Sequence, residues 1–208
     1  MGLPETGQAA SLSIIRTNWQ LLILVSGPGG VGKGTIVTEL RRLMPNLQLC
    51  PSAVTRPHDD RDAEGEYIYL DIDAFAKEWR CGRLLEADPH MGNWYGLTHP
   101  GEDVLAISDI DVKGSLRMYE AGFPNVLRIG VLPPGDTIEE MIEVCVQRMV
   151  ARGSDANTIQ KRRDRAVLEI RLIHNEWHRD PDAFVVVNDD LHRAVAECHQ
   201  RIMHTPRR

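Results

Sequence analysis

Cysteine is scarce in this chain of 208 residues, and its four copies are far apart. No two of them form the CxxC spacing of a zinc site, and their scatter does not suggest the disulfide framework of a small secreted domain. With 42% hydrophobic residues, a chain of this length can bury a core without covalent cross-links. We therefore expect a cytoplasmic protein with reduced, mostly structural thiols. They are Cys50, Cys81, Cys145 and Cys198.

Long apolar runs and an excess of positive charge are also missing. No segment approaches the roughly 20 apolar residues that a membrane-spanning helix needs, and no basic stretch precedes an apolar run at the N-terminus. The formal net charge is -6, whereas non-specific nucleic-acid binding requires a basic face. The sequence thus predicts no membrane or nucleic-acid partner, and it favours small phosphorylated molecules held by local arginines. Residues 1–19 are expected to form a flexible leader.

A glycine-rich segment follows the first apolar run. Residues 21–25 predict a buried strand, residues 34–43 predict a helix, and the sequence GPGGVGKGT of residues 27–35 joins them. This is P-loop spacing, in which backbone N–H groups surround a polyphosphate and the lysine neutralises its outer oxygens. The strand before it and the helix after it are the context that such a loop requires. The expected phosphate-binding residues are Gly27, Gly29, Gly30, Val31, Gly32, Lys33, Gly34 and Thr35.

One position departs from the general P-loop pattern. Gly34 stands where Ser or Thr usually follows the lysine, and Thr35 comes next. The alternative interpretation is a flexible glycine turn after a buried strand. That alternative explains the glycines but not Lys33 at the start of a helix.

Strand-like and helix-like patterns alternate along the chain, which predicts an α/β domain with a largely parallel sheet. Between Cys50 and Leu97, short aromatic and β-branched runs broken by Pro and Gly predict an inserted lobe with its own small sheet. Ligands of open α/β sheets lie beyond the carboxyl ends of the strands, so a second substrate would bind between lobe and P-loop. The other main strands are predicted at 104–108, 126–132 and 184–187, and two long helices at 137–152 and 155–177.

Several short motifs follow the P-loop in a fixed order. Together they resemble the guanylate kinase family over roughly residues 21 to 203. The motifs are SAVTRP (52–57), EGEYIY (64–69), LE (85–86), GNWYG (92–96), DIDVKG (109–114), PP (133–134), the run from Arg148 to Gly153, the run from Ile159 to Arg162, and NDDL (188–191).

The resemblance implies a P-loop NTPase-type parallel sheet with flanking helices, an inserted small mixed α/β lobe that binds a nucleoside monophosphate, and a helical lid. In this scheme one domain spans 20–208. Its core is 20–49, 103–134 and 166–208, its lobe 50–102 and its lid about 135–165. The implied reaction is ATP + GMP = ADP + GDP in a monomer or homodimer, with Mg²⁺ carried by the nucleotide.

The resemblance also implies roles for individual residues on the acceptor side. Arginine and tyrosine suit a phosphate because a guanidinium can donate to it bidentately and a phenol adds a donor without charge. Carboxylates suit guanine because they accept from its N–H and amino groups. The implied phosphate ligands are Ser52, Arg56, Tyr67 and Tyr95, and the implied base-reading residues are Glu86, Asp111 and Thr98. Read without the family, Glu86 and Asp111 are ordinary surface acids.

On the ATP side, the implied catalytic residues are Lys33, three lid arginines and Asp109, and Thr35 and Asp109 are candidates for contact with Mg²⁺. Helix capping by Asp109 or Asp111 is an open alternative. Asn188 would lie near the adenine, or would simply end a strand in a turn. The lid arginines are Arg148, Arg152 and Arg162.

Other arginines and one histidine pair have no motif support. His174 and His178 are four residues apart, but without an HExxH pattern or a third ligand they predict an exposed pair rather than a zinc site. A solvated helix face is the better interpretation for Arg41, Arg42, Arg163, Arg165 and Arg171.

The sequence departs from the family at the acceptor site. Asp59 stands where a second phosphate-binding arginine is usual, and a carboxylate there repels phosphate unless Arg61 or His58 compensates. Leu97 replaces a serine or threonine that helps to read guanine. The connection from Tyr95 to Asp109 is also short. Two alternatives to GMP kinase activity therefore stay open: a changed acceptor such as dGMP, IMP or another phosphorylated metabolite, and a non-catalytic module that binds a protein.

Overall fold

The computed structural model describes residues 18–60, 62, 64–90 and 92–206. Its strands are β1 (Leu21–Ser26), β2 (Leu47–Leu49), β3 (Ser52–Val54), β4 (Tyr67–Tyr69), β5 (Leu84–His90), β6 (Asn93–Thr98), β7 (Leu105–Asp109), β8 (Val126–Leu132) and β9 (Ala183–Val187). Its helices are α1 (Lys33–Leu43), α2 (Ile72–Arg80), α3 (Val112–Glu120), α4 (Ile138–Ala151), α5 (Ala156–Asn175) and α6 (Leu191–His204).

A five-stranded parallel sheet forms the centre of the protein, in the order β2-β7-β1-β8-β9. All six residues of β1 are buried, as expected for a central strand covered on both faces. Leu21, Ile23 and Val25 pack in a cluster with residues of α1 and α6, while Leu22 and Leu24 pack in another with Met118 of α3. The predicted α/β fold with flanking helices is confirmed.

A second, smaller sheet lies between β2 and β7 in the chain. Its order is β4-β3-β6-β5, with β3 parallel to β4 and the other pairs antiparallel. The lobe has its own apolar cluster, in which Phe75 and Trp79 of α2 pack with Ala53, Leu84 and Ala87. The expected inserted mixed sheet is therefore present.

The helix ends follow from local capping. Thr137 and Glu140 form a capping box at the start of α4, and the Asp155 side chain accepts from the Thr158 N–H at the start of α5. The sequence predicted that this second helix would run to Trp177. It ends at Asn175 instead, and Trp177 begins a separate 3₁₀ turn.

Trp19 corrects the expected end of the leader. Residues 1–17 lie outside the described residues, but Trp19 is 1% exposed and packs in the core. Its indole Nε1 donates to the carbonyl of Pro124 at 3.0 Å. Trp19 therefore belongs to the folded domain.

A buried cation, Arg128, lies on β8. Arg128 is 2% exposed, pairs with Asp180, and lies over the rings of Tyr119 and Trp177 at 4.0 and 4.8 Å. The carboxylate and the two aromatic faces offset part of the cost of burying this cation, although its Nε has no hydrogen-bond partner among the described residues.

Three of the four thiols are buried, as a structural role requires, and Cys81 is exposed. Burial raises the pKa of Cys50 and Cys145 to about 11 and that of Cys198 to about 12. In the described part of the chain, no helix has the length and apolar character to cross a membrane.

Candidate active site

The P-loop follows β1 at the carboxyl edge of the sheet, between the ends of β7 and β8. Gly32 adopts φ 105° as the residue before α1, and a Cβ there would lie 2.5 Å from Nδ2 of Asn188. Gly30 has φ 90°, and a Cβ there would lie 2.5 Å from the backbone oxygen of Cys145. Both positions therefore require glycine, for conformation and for space.

Lys33 is the first residue of α1 and is largely enclosed by the loop. Its Nζ donates to the Gly27 carbonyl at 2.9 Å and lies 3.8 Å from Oδ1 of Asp109. The side chain is 15% exposed. These contacts hold the ammonium at the mouth of the loop, where a polyphosphate would meet it.

Asp109 ends β7 beside this lysine. Burial raises its pKa to about 6, although the charge of Lys33 opposes the shift, and Glu66 of the small lobe raises it further. It does not cap α3, because the Gly114 N–H donates to Asp111 instead, at 2.6 Å. Of the two capping alternatives, Asp111 is therefore the one that applies.

Thr35 and Asp109 are the chain's candidates for contact with Mg²⁺. Both supply hard oxygen atoms, which this ion prefers. Thr35 is exposed on the first turn of α1, next to the equally exposed Gly34. Among the described residues, no group of three His, Cys, Asp or Glu side chains could hold a metal ion. The donor set fits an ion held mainly by nucleotide phosphates, with one or two protein oxygens.

Asn188 and Arg148 meet at the P-loop. The Asn188 side chain is buried and donates through Nδ2 to the Val31 carbonyl at 2.8 Å. Arg148 donates through Nη1 to the same carbonyl at 3.0 Å and through Nη2 to the Asn188 carbonyl at 2.8 Å. Asn188 therefore does more than end a strand in a turn, because its amide nitrogen supports the loop.

The other two lid arginines differ in position. Arg162 lies against the P-loop so closely that a Cβ on Gly29 would be 2.8 Å from its Cδ, and its charge lowers the pKa of Asp109. Arg152 is exposed at the C-terminal end of α4. The structure therefore brings Arg148 and Arg162 to the loop and leaves Arg152 at the protein surface.

The predicted acceptor-phosphate residues converge on one face of the small sheet. Ser52 pairs with Tyr67 in the register of β3 and β4, and the rings of Tyr67 and Tyr95 lie 6.5 Å apart. The Arg56 guanidinium lies 4.6 Å from the Tyr67 ring centroid. Burial raises the pKa of Tyr67, and the negative charges of Glu66 and Asp109 raise it further. The Tyr67 hydroxyl therefore stays a neutral donor at the boundary of the two lobes.

Glu86 and Asp111 are engaged by arginines that sequence reasoning did not select. Arg117 donates to Oε2 of Glu86 at 2.9 Å and lies 3.3 Å from Asp88. Arg165 donates to Oδ2 of Asp111 at 3.1 Å, so its assignment to a solvated face was wrong. Spacing along the chain gave no signal for either contact, because the partners lie on different elements.

Glu86 is not a surface acid. It is 7% exposed, and burial raises its pKa to about 7 even though Arg117 lowers it. Asp111 and Asp88 add negative charge nearby and raise the pKa further. The site thus contains a carboxyl group whose ionisation changes near neutral pH.

The departures at Leu97 and Asp59 have structural counterparts. Leu97 is 1% exposed in an apolar cluster. The Thr98 hydroxyl, expected to help read the base, donates to the Pro51 carbonyl at 2.7 Å. Asp59 lies close enough to Asp62 to raise the pKa of that carboxyl. Arg61, which could have compensated Asp59, is outside the described residues.

The histidine pair of α5 has the expected exposed position. His174 and His178 are both exposed, with ring centroids 5.9 Å apart.

Comparison with known proteins identifies the family. The sequence matches no protein-family model. It is 34% identical over 194 residues to a guanylate kinase of Symbiobacterium thermophilum, covering 88% of this chain and 84% of the relative. A guanylate kinase of Gloeobacter violaceus is 34% identical over 190 residues, covering 88% and 86%, and one of Synechocystis sp. is 35% identical over 182 residues, covering 84% and 88%.

The fold has a solved counterpart as well. The crystal structure of guanylate kinase from Anaplasma phagocytophilum matches with a TM-score of 0.62 at 20% identity, covering 91% of this chain and 87% of that chain. At this identity the match supports the fold alone. Because relatives above 30% identity are covered over most of their length, the chain belongs to the guanylate kinase family.

Proposed function

We propose that this protein transfers the γ-phosphate of ATP to GMP, giving ADP and GDP. The observation that carries the proposal is the position of Asp109 between two sites. On one side it lies 3.8 Å from Lys33 of the P-loop. On the other it interacts electrostatically with Glu66 and Tyr67 of the small lobe. A phosphate donor and a phosphate acceptor bound to these two lobes would meet beside this carboxylate.

On the donor side, backbone N–H groups of the P-loop would hold the ATP phosphates, and Lys33 would exchange its Gly27 carbonyl partner for phosphate oxygens. Phosphoryl transfer depends mainly on alignment and charge stabilisation. Arg162, which already lies against Gly29, would contact the transferred group. Bound Mg²⁺ would neutralise charge on the phosphates, held by them and by the oxygens of Asp109 and Thr35.

On the acceptor side, Arg56, Tyr67, Tyr95 and Ser52 would hold the phosphate of GMP. Glu86 and Asp111 would accept hydrogen bonds from guanine, with Arg117 and Arg165 orienting them through the contacts described above. Adenine has no equivalent pair of donors, so it would give Glu86 and Asp111 no hydrogen bonds in exchange for the water that its binding displaces. This arrangement favours guanine even though Leu97 offers no hydroxyl.

A changed acceptor is the second candidate, and the apolar Leu97 and the acidic Asp59 favour it. Family membership and the retained Glu86 and Asp111 favour GMP. A non-catalytic module is disfavoured, because a module that only binds a protein would not need Lys33 or the arginines at the P-loop.

A coupled assay of ADP release, with ATP and Mg²⁺ present, tests the proposal. The acceptors to be compared are GMP, dGMP, IMP, AMP, CMP and UMP. We expect GMP to give the highest kcat/KM, at least about 100-fold above AMP, because hydrogen-bonded polar sites discriminate strongly. IMP lacks the amino group and should fall between them. A higher kcat/KM for IMP than for GMP would favour the changed acceptor, and no turnover with any acceptor would contradict the proposal.

A further inference from the structure

Arg56, the arginine that would bind the acceptor phosphate, already holds an anion from its own chain. Its Nη1 lies 2.7 Å from Oδ2 of Asp62, and its Nη2 donates to Oδ1 at 2.8 Å. The Tyr69 hydroxyl donates to Oδ2 of the same carboxylate at 2.5 Å. The side chains of Arg56 and Asp62 are only 18% and 16% exposed, so this is a partly enclosed pair rather than a loose surface contact.

The donors around the Asp62 carboxylate are arranged as they would be around a bound phosphate group. Two parallel N–H donors of a guanidinium and a phenolic hydroxyl converge on the two oxygens of a planar anion. Tyr67, a predicted phosphate ligand, lies under the same guanidinium at 4.6 Å, and the Tyr95 side chain also interacts with Arg56. The Asp62 carboxylate thus lies within the group of side chains that the acceptor phosphate needs.

The charges keep this carboxylate ionised. Burial raises the pKa of Asp62, but hydrogen bonds from Arg56 and Tyr69 outweigh that effect, and its pKa falls below the ordinary value. Burial lowers the pKa of Arg56, and Asp62 more than offsets it. At neutral pH the pair is therefore a cation and an anion.

We propose that Asp62 is an internal competitor of the acceptor phosphate, and that it sets the affinity of the enzyme for its acceptor. The inference rests on the proposed function, in which Arg56 binds the phosphate of a nucleoside monophosphate. Bound phosphate takes the Nη donors of Arg56, and Asp62 leaves for solvent. A dianionic phosphate competes for these donors better than a singly charged group does, because it carries more charge. Asp62 thus selects for the phosphomonoester dianion.

The central variant is Asp62→Asn, which keeps the shape of the side chain and removes its charge. GMP binding is measured by calorimetry in the presence of saturating ADP and Mg²⁺, so that the P-loop is filled. We expect Asp62→Asn to tighten GMP binding by about three- to tenfold, the range of a partly exposed charged pair. In turnover assays the gain appears in KM for GMP rather than in kcat. Tyr69→Phe removes only one donor to the carboxylate and should tighten binding by a smaller factor.

Asp60→Asn is the matched control. The Asp60 side chain is fully exposed, and its Oδ1 lies 3.5 Å from Nδ1 of His58, so the variant removes the same charge from the same segment without removing a partner of Arg56. We expect a change below about twofold. The Arg56→Gln background is the second control, since removal of the contested donor should abolish the effect of Asp62→Asn.

Three results would overturn the inference. Asp62→Asn could bind GMP more weakly, which would make Asp62 a residue that orients Arg56. Its gain in GMP affinity could be no larger than that of Asp60→Asn, or the gain could persist in the Arg56→Gln background. Should wild-type protein bind no GMP, the proposed function fails separately. Inorganic phosphate, titrated against ADP-loaded protein, then decides the matter. Tighter phosphate binding in Asp62→Asn supports competition, and unchanged binding refutes it.

Discussion

The carboxyl group of Glu86 lies inside the protein, close to the charges of Asp88 and Asp111. Arg117 contacts it at 2.9 Å but does not restore an ordinary pKa, because the loss of water outweighs one cation. The folded protein therefore holds a proton on Glu86 up to about pH 7. Guanine needs the ionised form, since only a carboxylate accepts from both of its donors.

This conflict predicts a pH dependence of acceptor use. As pH falls through about 7, Glu86 takes up a proton and kcat/KM for GMP should decrease. A plot of log kcat/KM against pH should then approach a slope of one on its acid side, the acid limb. Glu86→Gln should lower kcat/KM by about 100-fold at pH 8 and remove the part of that limb that Glu86 contributes, because the amide does not titrate. Steady-state rates between pH 5.5 and 9 measure both effects.

The control for this variant is Glu78→Gln on the same lobe, where the carboxylate pairs with Arg83 at the surface. Glu78→Gln should keep the acid limb of the wild-type pH dependence of kcat/KM, including any part that is due to the phosphate of GMP. The raised pKa of Glu86 means that stability is lost as pH rises through about 7, so Glu86→Gln should melt no lower than wild type at pH 8. An acid limb that is the same in Glu86→Gln as in wild type would remove Glu86 from base recognition.

At the scale of elements, the P-loop is held by two segments distant in sequence. Val31 of the loop accepts from Arg148 of α4 and from Asn188, which follows β9. Arg148 also bonds the Asn188 backbone. The three groups form a closed set of hydrogen bonds, so movement of α4 is coupled to the shape of the phosphate loop.

Asn188→Ala tests this coupling. Removal of a buried hydrogen bond should lower the free energy of unfolding by about 1 kcal/mol and the Tm by about 2–4 °C. The loosened loop should raise KM for ATP by about tenfold with little change in KM for GMP. Asn157→Ala, at an exposed position of α5, is the control and should match wild type. An unchanged KM for ATP in Asn188→Ala would show that the loop does not need this support.

Sequence patterns predicted the elements well where one physical cause dominates. The continuous apolar run of β1 and the capping residues of α4 act locally, and both elements formed within a residue of expectation. The contacts of Asn188 could not be predicted in the same way, because 157 positions separate it from Val31. A resemblance can place such a residue near a nucleotide, but only the packing of β9 beside β8 shows that it holds the loop.

At the scale of the molecule, each of the two sheets contributes one part of the candidate site. The parallel sheet presents the P-loop and Asp109 at its carboxyl edge, and the small lobe brings Tyr67 and Glu66 within electrostatic reach of the same carboxylate. The sequence indicated both sites through ordered motifs. It did not indicate the partners that balance their charge, Arg117, Arg165 and Asp62, because those contacts form only when separate elements pack together.

The central claim is that Lys33 and the P-loop carry phosphoryl transfer from ATP to GMP. Transfer of labelled γ-phosphate from ATP to GMP, followed by chromatography of labelled GDP, measures that step directly in wild type, Lys33→Ala and Arg42→Ala. Arg42 lies on the same helix with a side chain that is 78% exposed, so its variant should keep the wild-type rate. We expect Lys33→Ala to lose about 1000-fold in rate with a Tm within a few degrees of wild type. We predict that wild type forms labelled GDP and that Lys33→Ala forms it at a rate near background. The claim would be contradicted if wild type formed no labelled GDP, or if the folded Lys33→Ala variant kept the wild-type rate.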